Sequence, residues 1–389
     1  MRQLPQVDQV LKAATDRGDV PGVVAMAATS EGPVYQGAFG TRALPNGRAM
    51  TVDTVFWIAS MTKAITSTAA MRLVEQGKLS LEWPIAEVLP ELASPRVLEG
   101  FDPAGEPRLR PARRPITLRH LLTHTAGFVY DIWNPEIGRY MEKMHTPGII
   151  SCQNAALMLP LVFDPGDRWD YGINIDWAGK AVERASGQSL GNFFAEHIFA
   201  PTGMKDTGFA LTPDHRARLA GMHARAEDGT LAPIPFELPQ EPEFEMGGGG
   251  LYGTAADYLA FERLFLDEGR ANGRQVLRPE TVRLMSQNAI GGLDVRLLKT
   301  AVPTYSNDAE FFPGMTKKFG LGFMISPEAV PGGRGPGSLA WAGLGNTYFW
   351  VDPANGIAGV ILMQLIPFAD PKALALLEGF EKALYAALG

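Results

Sequence analysis

Strand-like apolar runs cluster at the two ends of this 389-residue chain, and helical spacing dominates between them. Near the start, Gly22–Ala28 and Pro33–Phe39 are apolar stretches separated by Ser30-Glu31-Gly32, which predicts a β-hairpin. Near the end, Gly320–Ile325, Ser338–Ala342, Thr347–Asp352 and Gly356–Leu365 are short apolar runs broken by Gly and Pro. Each end also carries an amphipathic helix. Val7, Val10, Leu11 and Ala14 share a face of the first; Ala373, Leu374, Leu377, Phe380 and Leu384 share a face of the last, over Asp370–Leu388. The arrangement predicts an α+β fold, with a central antiparallel sheet built from both chain ends and flanked by helices. A mainly helical domain is then an insertion. The expected division is 1–80 with 285–389 for the sheet domain and 81–284 for the helical domain with its long loops.

A short strand, Thr54–Ile58, should run into a helix from about Met61 to Gln76. Met61, Ile65, Ala69 and Leu73 line one face of that helix, and Gly77 stops it. Thr254–Leu266 predicts a further helix. Six prolines from Pro90 to Pro115 are expected to interrupt any regular element there. Asp228–Gly250, with Pro233, Pro235, Pro239, Pro242 and the run Gly247–Gly250, is expected to be a second long ordered loop. Loops of this length in a compact protein usually shape a site.

Charge and cysteine content narrow the chemistry. The 35 basic residues against 42 acidic ones leave a net charge of −7, which argues against nucleic acid or an anionic membrane as the partner. One cysteine, Cys152, excludes an internal disulfide framework, a multi-cysteine zinc site and a cysteine-held iron–sulfur cluster. The longest apolar run, Ile357–Phe368, is too short to span a bilayer and contains Gln364 and Pro367. The first twenty residues hold no apolar segment of the kind a secretory signal needs, so the expected location is cytoplasmic. No phosphate-binding loop or dinucleotide fingerprint is present, and no cofactor is expected.

Two serines stand in nucleophile-like patterns. Ser60-Met61-Thr62-Lys63 is an S-x-x-K sequence, and positions i and i+3 of a helix share a face, so the lysine amine can reach the serine oxygen. A lysine in a low-dielectric setting can take a serine proton. Taken alone, Ser60 also reads as a helix N-cap with Lys63 in solvent. The apolar strand before it and the apolar helix after it favour the nucleophile. Gly187-Gln188-Ser189-Leu190-Gly191 fits the G-x-S-x-G pattern, which requires a strand before the serine. Here the preceding residues, Trp177–Ala185, have helical spacing, so Ser189 reads as the N-cap of the helix through Phe193, Phe194 and Ile198. His120 and His124 have the i, i+4 spacing of a zinc pair on a helix, but no Glu follows the first, and they read as structural. Tyr171, taken alone, reads as a packed aromatic, and Trp341-Ala342-Gly343-Leu344-Gly345 as a strand-end turn.

Together these residues resemble the serine β-lactamase-like family, and within it the family VIII carboxylesterases. The resemblance rests on Ser60-Met61-Thr62-Lys63, Leu121-Leu122-Thr123-His124-Thr125-Ala126-Gly127, Tyr171 after the Pro165-Gly166 turn, Gly248-Gly249-Gly250-Leu251 and Trp341-Ala342-Gly343, in that order over nearly the whole chain. It implies a β-lactamase-like fold with the site between its two domains. It implies Ser60 as nucleophile, Lys63 as general base and Tyr171 as partner in proton transfer, with the backbone N–H groups of Ser60 and Leu344 as the oxyanion hole. Two departures from class C β-lactamases bear on the substrate. Trp341-Ala342-Gly343 stands where they carry Lys-Thr-Gly, which removes a cation and adds an apolar wall. Tyr171-Gly172-Ile173 stands where they carry Tyr-x-Asn, with Asn174 one place late.

The expected activity is hydrolysis of a small-molecule carboxylic ester through an acyl-enzyme on Ser60. The alternative is a β-lactamase, a D-amino-acid peptidase or an acyltransferase using the same residues. Trp341, Gly343, Phe128, Tyr130, Trp133 and Trp169 are the expected substrate-binding residues, with no metal.

Overall fold

The computed structural model describes residues 3–389; the reading of the first residues includes Met1 and Arg2, which lie outside them. Helix α1, Pro5–Asp16, opens on a proline, whose missing N–H costs nothing in a first turn, and buries Val7, Leu11 and Ala14. Strands β1 (Gly22–Thr29) and β2 (Gly32–Gly40) form the expected hairpin. Helix α2, Thr62–Glu75, is buried from Thr62 to Met71 and runs through the middle of the molecule.

The segment 90–115 departs from expectation. Strands β3 (Arg96–Phe101) and β4 (Pro107–Pro111) pair there as an antiparallel hairpin. Its prolines stand before the first strand and at both ends of the second, where a missing backbone donor is tolerated. Helix α3 is short, Leu118–Leu122, and α4 covers Asn174–Ser186. Helix α5, Ala255–Leu266, begins at Thr254, whose hydroxyl accepts from the Asp257 N–H.

The chain then returns to the sheet with β5 (Lys318–Phe319), β6 (Met324–Ser326), β7 (Ser338–Gly343), β8 (Thr347–Asp352) and β9 (Ile357–Leu362), and closes with α6, Pro371–Leu388. Seven strands form one antiparallel sheet in the order β5-β6-β7-β8-β9-β1-β2. The two chain ends meet where β1 lies beside β9, with Val24 opposite Leu362 and Met26 opposite Val360. Strands β7, β8 and β9 are buried on both faces, which explains their unbroken apolar sequences. Helices α1 and α6 cover one face, where the Phe380 ring meets Tyr35 and Trp350. Helix α5 covers the other, where Tyr258 meets Phe349 and Phe265 meets Phe323. No helix among the described residues is long and apolar enough to cross a membrane.

Candidate active site

The turn into α2 is built from strained and tied backbone. Phe56–Trp57 pairs with Tyr252–Gly253, and the Gln364 side chain bridges Trp57, accepting from its N–H (2.9 Å) and donating to its carbonyl (3.1 Å). Gln364 therefore does more than interrupt an apolar run: it joins the end of the sheet to the approach to Ser60. Ala59 then takes φ 45°, a left-handed conformation that a residue with a Cβ adopts at a cost. A turn of 3₁₀-helix, Ala59–Met61, leads from there into α2.

One helical turn on, Lys63 is buried with three partners. Its Nζ donates to Ser60 Oγ (3.1 Å), to Tyr130 OH (3.0 Å) and to the Gly248 carbonyl (2.6 Å). Three polar contacts satisfy an amino group in a place where an unpaired one would be costly. The Gly247–Gly250 run is fixed around α2 by further bonds. Thr66 Oγ1 donates to Gly247 O (2.6 Å), Trp57 Nε1 donates to Gly249 O (2.7 Å), and Leu251 N donates to Thr62 Oγ1 (3.1 Å).

Asp176, in the first turn of α4, completes the cluster. Its Oδ1 accepts from Gly248 N (2.8 Å), and its Oδ2 has no partner although the side chain is fully buried. A Cβ on residue 248 would stand 2.3 Å from that Oδ2, so only glycine admits this approach. Burial pushes the Asp176 carboxyl up to about 6, against the opposing pull of the Lys63 charge. Burial, and then the Asp176 charge, push the Tyr130 phenol well above its ordinary range, so Tyr130 stays protonated. Neither the S-x-x-K spacing nor the helical pattern of 174–186 pointed to Asp176.

The two tyrosines differ in what they touch. Tyr130, expected only as a pocket residue, is the one whose hydroxyl bonds Lys63. Tyr171, expected as the proton-transfer partner, accepts at its hydroxyl from the Trp341 indole N–H (3.0 Å). Its ring lies 4.8 Å from Lys63 Nζ, and both tyrosines line the pocket beside Ser60. A backbone bond from Tyr130 N to Tyr171 O (3.1 Å) holds the two segments together.

Across the pocket, β7 ends at Gly343. A Cβ there would stand 2.4 Å from the Ile58 carbonyl and 3.1 Å from the Ala59 Cβ, so this glycine lets the strand close against the Ser60 turn. Leu344 follows in the β7–β8 turn and lines the pocket with Ser60.

The pocket at Ser60 is about 60 Å³. Of the expected substrate-binding residues, Trp341, Gly343, Tyr130 and Trp133 line it. Phe128 and Trp169 do not. Phe128 is buried against Trp177, and Trp169 stacks behind Tyr171 with their rings 6.5 Å apart. The rest of the apolar wall includes Ile149, Met246, Leu298, Phe311 and Phe368, which no spacing had marked.

The remaining candidates fall away from the chemistry. Helix α3 ends before His124, which sits at φ 56° with its ring against Tyr171 and its Nδ1 bonded to Asn174 Nδ2 (3.1 Å). Burial, reinforced by the Lys63 charge, lowers its pKa well below the ordinary value and keeps it neutral. His120 Nδ1 accepts from Thr117 N in a capping box. No group of three His, Cys, Asp or Glu suited to a metal exists among the described residues. The Asn174 amide faces inward, donating also to the Phe128 carbonyl (2.9 Å), and is not in the pocket wall. Ser189 is exposed and caps the helix Leu190–Phe194.

Known proteins match this chain over nearly its whole length. A family model described as Beta-lactamase matches residues 7–378. Monacolin J acid methylbutanoyltransferase of Aspergillus terreus is 35% identical over 401 residues, spanning 98% of this chain and 95% of that protein. Lovastatin esterase of Penicillium rubens is 34% identical over 397 residues, spanning 97% and 98%. The structure of unliganded simvastatin synthase from Aspergillus terreus superposes with a TM-score of 0.84 at 33% identity, covering 99% of each chain.

Proposed function

The chain belongs to the beta-lactamase family, and from that premise we propose that it moves a small acyl group between a bulky alcohol and a second acceptor through an acyl-enzyme on Ser60. The observation that carries this reading is the buried Lys63 amino group joined to the Ser60 hydroxyl at a pocket with apolar walls. In this scheme Lys63 enters the step as its neutral amine: Ser60 Oγ attacks the acyl carbon while its proton passes to the lone pair of Lys63 Nζ, beside which lies the Tyr130 hydroxyl. The oxyanion forms against the N–H groups of Ser60 and Leu344. Tyr171, whose oxygen accepts from Trp341, keeps its own hydrogen to give to the departing alkoxide. A second alcohol, or water, then reverses the sequence and frees Ser60.

Hydrolysis of small esters was the leading expectation from sequence, with transfer as the alternative. The relatives favour the reverse order. Their names include a monacolin J acid methylbutanoyltransferase, whose acyl group is short, and a lovastatin esterase. Ester hydrolysis of the family VIII kind is the second reading, favoured by Trp341 in the wall where a β-lactamase would place a lysine.

The test uses p-nitrophenyl 2-methylbutanoate as donor, with and without a polycyclic secondary alcohol, and nitrocefin in parallel. We expect a new ester to form and p-nitrophenol release to rise with acceptor concentration, with little turnover of nitrocefin. Free acid alone, at a rate indifferent to the acceptor, would favour the esterase. Turnover that survives Ser60→Ala would overturn both readings.

A further inference from the structure

A second cavity, of about 550 Å³, shares two wall residues with the pocket at Ser60, Phe311 and Trp341. It lies against β6 and β7 at Met324 and Ala340, and against α6 at Leu374 and Leu377. Pockets that enclose drug-sized ligands run from about 300 to 1,000 Å³. The space at Ser60, about 60 Å³, is well below that range, and the second cavity is within it.

The charges around this cavity are all spent on one another. Arg334 is buried and donates to Glu381 from Nε (2.9 Å) and Nη2 (2.6 Å), Lys382 pairs with Glu378, and Glu310 pairs with Lys317 (3.3 Å). Among the described residues that line it, each cation and carboxylate has such a partner, so the cavity suits an uncharged apolar body.

The partition between the two spaces rests on a strained turn. Phe312 takes φ 47°, in the left-handed region, and is held there by Met315 N donating to its carbonyl (3.0 Å) and by the Arg334 guanidinium 5.1 Å from its ring centre. Bulky residues in that conformation cluster at functional sites. Its neighbour Phe311 is only half-buried, against Trp341 (5.6 Å) and Phe368 (6.3 Å).

We propose that this cavity receives the apolar body of the alcohol, past Phe311, while the small acyl group occupies the pocket at Ser60. The inference rests on the acyl-transfer reading above and adds to it a location for the large half of the substrate.

Two measurements test it, one of them without chemistry. Ser60→Ala protein is titrated with 1-pyrenemethanol, followed by the alcohol's own fluorescence, alone and with Leu377→Trp, which fills the cavity from α6. We expect the second change to weaken binding at least tenfold. In the active chain, kcat/KM is compared for pyrenylmethyl butanoate and ethyl butanoate. We expect Leu377→Trp to lower the ratio of the two about tenfold and Phe311→Ala to raise it. Ala340→Leu, which fills the cavity from the sheet, repeats the comparison should Leu377→Trp fail to fold. Unchanged binding of the alcohol, or a ratio that does not move, overturns the proposal. So does an effect confined to p-nitrophenyl decanoate, which would give the cavity to the acyl arm. If no ester is turned over, the acyl-transfer reading fails by itself, and the titration still decides the cavity.

Discussion

Ser60 and Ser189 each stand in a pattern that hydrolases use for a nucleophile, and their surroundings separate them. Ser60 follows a strained Ala59 and has the buried Lys63 amino group 3.1 Å from its oxygen. Ser189 follows Gly187, the left-handed residue that ends α4, and its oxygen accepts from Asn192 N (3.3 Å). The groups near Ser189 are acids: Glu183 accepts from Leu190 N and Glu245 from Gly191 N. The second pattern is thus a helix stop followed by a helix start. A nucleophile needs an oxygen in reach of a proton acceptor; the carboxylates near Ser189 are bonded to backbone N–H groups, and Ser189 itself is exposed with its oxygen taken up as a cap.

The largest expected effect breaks the comparison outright if it fails. Ser60→Ala should lower turnover of p-nitrophenyl 2-methylbutanoate by at least about ten-thousandfold, the scale on which losing a covalent nucleophile acts. A fluorophosphonate should label Ser60 and leave Ser189 untouched, as read by peptide mass spectrometry. Label on Ser189, or activity retained in Ser60→Ala, would reverse the assignment.

The two tyrosines sharpen what surrounds Ser60. Tyr171→Phe should cost about a hundredfold or more in kcat, the lower end of what a general acid contributes. Tyr130→Phe should cost roughly tenfold, because it removes one hydrogen bond to the Lys63 amino group. Phenylalanine keeps both rings in the wall, so the difference reads the hydroxyls. Equal losses, or a larger loss at Tyr130, would move the acid to the hydroxyl that touches Lys63.

Asp176→Asn is expected to act through pH. In the folded protein burial raises this carboxyl from 3.8 to about 6, so its ionisation draws down stability as pH rises through that interval. Above about 6 it is a carboxylate near Lys63 and Tyr130; below, it is neutral, and the positive charge that Lys63 takes on with the Ser60 proton has lost its counter-charge. The parent should therefore lose kcat/KM as pH falls through about 6. The amide variant should lack that limb and run roughly tenfold slower at pH 8, equivalent to about 1.4 kcal/mol. A limb near 6 that persists unchanged in the variant would assign it to another group.

How far these features were visible in the sequence follows from their range. Ser60 and Lys63 are one helical turn apart, so their meeting is local geometry. The strands β7 to β9 are buried on both faces, and their continuous apolar runs mark them plainly. The β3–β4 hairpin was not visible because Glu99 and Arg108 are exposed, Arg110 is spent on the buried Asp164 carboxylate, and prolines bound it, leaving no apolar alternation. His124 looked helical because spacing carries no information about where α3 stops. Phe128 and Trp169 were expected in the wall because composition marks a loop as aromatic without saying which side of it meets the pocket. Met246, Leu298, Phe311 and Phe368 come from four segments far apart in sequence, and only the closed fold brings them to one pocket.

The smallest effect returns to the second serine. If Ser189 is a cap, Ser189→Ala removes one acceptor from a helix N-terminus at an exposed position, which costs about 1 kcal/mol of stability. In a protein of this size that is a fall in Tm of only a few degrees. Ester turnover should stay within twofold, because its hydroxyl is not in the pocket at Ser60. Ser189→Asp should keep the cap, since a carboxylate also accepts from the N–H groups of a first helical turn. Calorimetry and the ester assay on the two variants then give opposite patterns for the two roles: a cap loses stability in the alanine variant alone, and a nucleophile loses activity in both.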